Sequence, residues 1–140
     1  MRDKYFLDTN ILIYAFSEDE PQKQEIALSI INNVSGDTLI SNQVINEICN
    51  VFLKKFKLSS NEIENVILEL DSVLDIVSFD ISTQIKALKL KEKYQFQYFD
   101  ALIVATALEN KCKVLYSEDT QHELIVENRL QIINPFKKIN

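Results

Sequence analysis

Apolar and polar positions along this chain alternate between a strand-like and a helical period. Residues 4–8, KYFLD, form a short apolar run ending in an acid, which predicts a buried strand. Ile11–Phe16 reads as a short helix. Pro21 suits the first turn of a helix reaching about Asn33, with Ile26, Ile30 and Ile31 on one face. A turn at Gly36-Asp37 leads to a second strand, Thr38–Ser41. Residues 43–57 read as a helix with Val44, Ile48, Val51 and Phe52 inward. Ser59 and Glu62 make a capping box for the next helix, whose Ile63, Val66, Ile67 and Leu70 recur at helical spacing. Asp75–Phe79 is a third strand, followed by helices at 82–94 and 99–110, the latter apolar almost all round. Lys113–Ser117 and Leu130–Ile133 are the fourth and fifth strands.

Strands separated by helices predict an α/β fold with a central, mostly parallel sheet of about five strands, covered on both faces. No repeat, linker or low-complexity segment divides the chain, so residues 1–140 are expected to form a single domain. In sheets of this kind ligands bind in the crevice at the carboxyl ends of the strands.

The 140 residues suffice to bury roughly two thirds of the unfolded surface. With 46% hydrophobic and 26% charged residues the composition is that of a folded globular chain, not of a disordered tail. One Gly and two Pro suggest short connections with few strained turns. The longest apolar stretch, Ala101 to Leu108, is far short of the roughly eighteen residues of a membrane span. MRDKYFLD has an acid where a signal peptide needs an apolar core, so a cytoplasmic location is expected. Cys49 and Cys112 are isolated, without CxxC spacing, and read as buried free thiols in a reducing compartment.

Four acids stand out: Asp8, Glu47, Asp100 and Asp119. Asp8 ends the first strand and Asp119 lies just past the fourth, so both reach the same sheet edge. Glu47 and Asp100 must arrive from helices. Like charges 4 Å apart repel by roughly 4 kcal/mol at an effective dielectric of about 20. Such a cluster therefore demands protons or a cation, and oxygen-only ligands favour a hard ion such as magnesium or manganese. Each acid also has a plain structural reading. Asp8, Asp100 and Asp119 can cap the helices that follow them. Glu47 shares a polar stripe with Gln43, Asn50 and Lys54 that reads as solvated surface.

The local sequences around these acids are KYFLDTNILIYAF, ISNQVINEICNVF, YFDALIVATALENKCKVLYSEDTQH and a closing IINPF. In this order and at these separations they resemble the PIN domain family, and within it the VapC-like ribonuclease toxins of prokaryotes. The resemblance runs from Phe6 to Phe136. It implies a three-layer α/β/α fold and an endoribonuclease in which Asp8, Glu47, Asp100 and Asp119 hold Mg2+ or Mn2+. Asp8 and Asp100 are then the inner ligands, with Glu47 and Asp119 acting through water or orienting the nucleophile. Thr9, Asn10 and Ser117 carry small polar groups at the same edge and read either as helix and turn caps or as supports for the acids or the phosphate. The resemblance also implies an RNA substrate, an antitoxin partner and a homodimer. The alternative within the family is a degenerate module that binds RNA or protein without cutting.

Other features change this picture only locally. The net charge of −6 argues against tight, non-specific RNA binding, although four of those charges belong to the proposed ligands. Lys86, Lys89 and Lys93 line one helix face ahead of the Tyr94–Phe99 aromatics, either as an RNA strip or as a solvated face. His122 is the sole histidine and reads as structural or supporting. Against the resemblance, QFQYF lacks the tryptophan that relatives often carry, Thr120 replaces a common leucine, and Glu123 stands where many have glycine. Glu118 and Glu123 add negative charge beside the acids. A haloacid-dehalogenase-type phosphatase would need a second Asp at the position of Asn10, and a receiver domain a lysine that neither Lys111 nor Lys113 supplies.

Overall fold

The structure, a computed structural model, describes residues 2–33 and 37–137. The elements are β1 (Lys4–Leu7), α1 (Thr9–Ala15), α2 (Pro21–Asn33), β2 (Asp37–Ser41), α3 (Asn42–Lys54) and α4 (Ser60–Val73). They continue as β3 (Asp75–Val77), α5 (Ile81–Tyr94), α6 (Tyr98–Glu109), β4 (Val114–Tyr116), β5 (Ile125–Val126) and β6 (Leu130–Ile133). The strands form one sheet in the order β3-β2-β1-β4-β6-β5, parallel except for β5. The chain first steps outward from β1 to β2 and β3, then returns to the other side of β1 with β4. Right-handed crossovers that run in opposite directions place their helices on opposite faces. This gives the expected mixed α/β layering, with α5 packed on α6 and α1 packed on α2 and α3.

Local chemistry accounts for the helix starts. Ser41 caps α3 by accepting from the Val44 N–H, and the Ser59–Glu62 box closes in both directions at 3.1 and 3.0 Å. Asp80 and Thr83 make a second box at α5, which the sequence reading did not identify. The α6 helix is buried at every position from Ala101 to Leu108, in keeping with its all-round apolar pattern.

Four expectations need correction. The helix expected over 43–57 ends at Lys54, because Lys57 takes φ 53° and the Leu58 N–H turns back to the Phe52 carbonyl at 2.9 Å. The third strand ends at Val77, where its pairing with Ser41 stops. There are six strands among the described residues, since Ile125–Val126 adds an antiparallel edge too short to show a period of two. Its turn uses Glu127 and Asn128 at φ 51° and 57°, the left-handed pair that a tight hairpin requires. Turns are also more strained than one glycine suggested: Lys57, Gln95, Lys111, Glu123, Glu127 and Asn128 all have positive φ. Gly36 of the expected turn lies outside the described residues.

Candidate functional site

The switch in winding direction falls between β1 and β4, and both strands point their carboxyl ends at one crevice. Leu7 pairs with Tyr116, so the residues that follow them, Asp8 and Ser117, emerge side by side. The Asp8 N–H extends the ladder to the Tyr116 carbonyl at 3.0 Å. Ser117 Oγ donates to Asp8 Oδ2 at 2.7 Å, and the Thr9 N–H donates to Asp8 Oδ1 at 2.7 Å. Asp8 is only 5% exposed, and Ser117 is fully buried. Burial pushes the Asp8 carboxyl up to about 7, against the opposing pull of the Ser117 and Thr9 bonds and with a further push from Asp119 and Asp100. Asp8 is thus both the cap of α1 and a buried carboxylate poised near neutrality.

Glu47 reaches the same crevice from α3. Thr9 Oγ1 donates to its Oε2, and Gln43 Nε2 donates to its Oε1 at 2.8 Å. The same amide nitrogen also lies 3.4 Å from the Phe99 carbonyl on α6. The polar stripe is therefore not uniformly solvated: Asn50 and Lys54 are exposed, whereas Gln43 is buried. Gln43 is the supporting residue that sequence reasoning passed over. Its signal was a place one turn ahead of Glu47.

Asp100 is the third residue of α6, inside the helix and not at its cap, where the helix dipole favours a carboxylate. It is half-buried, and burial followed by Asp119 and Glu47 raises its affinity for a proton. No hydrogen bond to its carboxylate is found among the described residues. Asp119 accepts from Asn10 Nδ2 at 2.7 Å, while its own N–H donates to Ser117 Oγ at 3.3 Å. Burial, then Glu118 and Glu47, raises its carboxyl as well. Among the described residues no helix follows Asp119, so the capping role considered for it has no helix to serve there.

The four acids thus share one electrostatic neighbourhood: Asp8 responds to Asp119 and Asp100, Asp100 to Asp119 and Glu47, and Asp119 to Glu47. Thr9, Asn10 and Ser117 each hold a different one of them. Among the described residues no three such side chains form a ready-made metal cage. The all-oxygen set, its mutual repulsion and the unpartnered buried Gln43 Oε1 suit a hard, hydrated cation that keeps part of its water.

The remaining candidates fall outside the cluster. Lys93 pairs with Glu127 at 2.7 Å and the Tyr94 hydroxyl donates to the same carboxylate, which ties the basic strip to the β5–β6 turn. His122 Nδ1 accepts the Asn134 N–H at 3.0 Å, a structural tie that leaves only Nε2 as a donor. Glu118 pairs with Lys23 at 2.6 Å, yet its charge still raises the neighbouring Asp119 carboxyl. Glu123 has φ 70°, which explains why glycine suits this position.

A sequence profile described as the PIN domain matches residues 5–127. No curated protein matches the chain significantly in sequence. Among solved structures, a toxin-antitoxin complex from Klebsiella pneumoniae superposes with a TM-score of 0.72 at 22% identity, over 94% of this chain and 97% of that one. Mycobacterium tuberculosis VapC20, described as a sarcin-ricin loop cleaving toxin, gives a TM-score of 0.69 at 13% identity, over 84% and 91%. VapBC2 from Rickettsia felis, bound to a fragment of its promoter DNA, gives 0.66 at 19% identity, over 94% and 99%.

Proposed function

The chain belongs to the PIN domain family, and from that premise we propose that it is a metal-dependent endoribonuclease, the toxin of a toxin–antitoxin pair. The observation that carries the reading is the convergence of four carboxylates from separate elements, one of them only 5% exposed. The fold neighbours, one described as a sarcin-ricin loop cleaving toxin and another from a toxin-antitoxin complex, support it.

In this reading Asp8, Glu47, Asp100 and Asp119 hold Mg2+ or Mn2+. When bound, the ion supplies Lewis-acid polarisation of a phosphodiester and lowers the pKa of a bound water. The protein's own part is orientation. Ser117 and Thr9 fix both oxygens of Asp8, and Gln43 and Thr9 fix both oxygens of Glu47. Asn10 sets Asp119. Asp100, without such a tie, adjusts to the ligand. Because these carboxylates are positioned before substrate arrives, little reorganisation is needed on binding.

An antitoxin and a second copy of the chain are the protein partners that belong to this reading. Exposed apolar side chains are compatible with such contacts: Ile81, Ile85 and Leu88 along α5, and Leu53 and Leu68 beside a groove between α3 and α4.

The deciding experiment incubates purified protein with a structured RNA pool in magnesium, in manganese and in EDTA, beside an Asp8→Asn variant, with metal titration by calorimetry. Cutting that needs metal and vanishes in Asp8→Asn is expected. Absence of any metal uptake would sink the reading. RNA binding without cutting would assign the degenerate module instead.

A further inference from the structure

Two parts of the molecule are not used by the proposed chemistry: the closing Asn-Pro-Phe segment and a buried-side cation on α2. They meet at Tyr14, whose hydroxyl donates to Glu118. Lys23 Nζ donates to Glu118 Oε2 at 2.6 Å and to the Tyr14 hydroxyl at 3.2 Å, and that hydroxyl donates to Glu118 Oε1 at 2.6 Å. Both carboxylate oxygens are therefore engaged. The Lys23 and Glu118 side chains are 21% and 23% exposed, so the pair is largely withdrawn from water. Phe136 of the closing segment is buried edge-on against the Tyr14 ring at 5.0 Å, and Lys23 Nζ lies 4.7 and 5.6 Å from the two ring centres. Asn134 completes the wall: its N–H donates to His122 and its Oδ1 accepts the Phe136 N–H at 2.9 Å.

Glu118 sits between Ser117 and Asp119, whose side chains turn toward Asp8 and Asn10. The three-residue loop is thereby pinned alternately on two sides. We propose that Lys23 is a positioning residue for metal binding: through Glu118 it locks the loop that presents Asp119 and the Ser117 clamp on Asp8. Tyr14 is the second anchor, and the Asn-Pro-Phe segment is the wall behind the pair. Losing such an outer partner typically lowers metal affinity 10- to 100-fold. Simple Coulomb reasoning predicts the opposite sign, because removing a lysine near a cation site would tighten cation binding.

This inference rests on the metal-dependent reading above, and one experiment separates the two. Mn2+ is titrated by calorimetry into wild type, Lys23→Met, Lys23→Arg and Tyr14→Phe, with amide exchange followed in parallel. Lys23→Met is expected to bind Mn2+ about tenfold more weakly, with Lys23→Arg close to wild type and Tyr14→Phe intermediate. Exchange is expected to quicken over residues 117–122 while β1 and β6 stay protected. Unchanged or tighter Mn2+ binding in Lys23→Met overturns the inference alone. So does faster exchange throughout the sheet, which would make Lys23 a general stabiliser. No Mn2+ uptake by wild type overturns the metal-dependent reading and this inference with it. Should Lys23→Met fail to fold, Tyr14→Phe, which loses one hydroxyl, decides by the same readouts.

Discussion

Ser117 Oγ lies 2.7 Å from Asp8 Oδ2, although 109 positions separate the two residues. Pairing of β1 with β4 creates the contact, and the contact in turn orients the most deeply buried acid of the cluster.

Removing that hydroxyl gives the first prediction. Ser117→Ala deletes a charge-assisted bond and an acceptor for the Asp119 N–H, so stability above pH 7 is expected to fall by about 1 to 3 kcal/mol. Manganese affinity is expected to drop roughly tenfold. Chemical denaturation and calorimetry measure the two effects. An unaltered manganese affinity would remove Ser117 from the clamp.

Asp8 itself makes stability depend on pH. Its folded-state pKa, about 7, is above the ordinary aspartate value of 3.8, so the folded state holds a proton that the unfolded chain has released. The metal-free protein is therefore expected to lose stability as pH rises from about 4 to about 7, by on the order of 4 kcal/mol from this group. Asp8→Asn should flatten that slope and be more stable than wild type at pH 8 in EDTA. Urea unfolding at pH 5 and pH 8 tests it, and parallel slopes for the two proteins would refute it.

In the proposed reading, metal and proton compete for the Asp8 carboxylate. Affinity for magnesium or manganese is expected to fall by up to about tenfold per pH unit below about 7, and to level off above it. Titrations from pH 5.5 to 8.5 check this. A pH-independent affinity would mean that Asp8 is not a ligand.

Glu123 offers a prediction about stability alone. At φ 70° a side chain crowds the backbone, whereas glycine is at ease there. Glu123→Gly is expected to raise stability by about 0.5 to 1 kcal/mol and to leave metal affinity unchanged, since among the described residues the exposed Glu123 side chain pairs only with His122, at 3.6 Å, and the backbone N–H bond to Ile132 is kept. A loss of stability in thermal melts would show that the His122 contact outweighs the backbone strain.

Much of the fold was legible because it is local. Among the described residues, the five longer strands and the six helices follow from runs and periods that need no distant partner, and Ser59 with Glu62 marked the start of α4 correctly. Where boundaries failed, the cause was backbone conformation that composition does not reveal. Lys57 in the left-handed region ended α3 early, and Glu127-Asn128 turned a hairpin whose first strand is two residues long. Asp8 and Asp119 were placeable at one sheet edge from strand ends alone.

The sequence by itself determined the alternation of strands and helices, the acids at strand ends, and the family those patterns resemble, because each is written within a few turns of chain. Only the tertiary structure decided that Gln43 is buried against Phe99, that Glu47 turns inward to Thr9, and that Glu118 pairs with Lys23. Those choices depend on which helices pack across the sheet edge. A polar stripe on one helix looks the same whether a neighbour covers it or water does, so the side-chain orientations that make the site are set by contacts far apart in sequence.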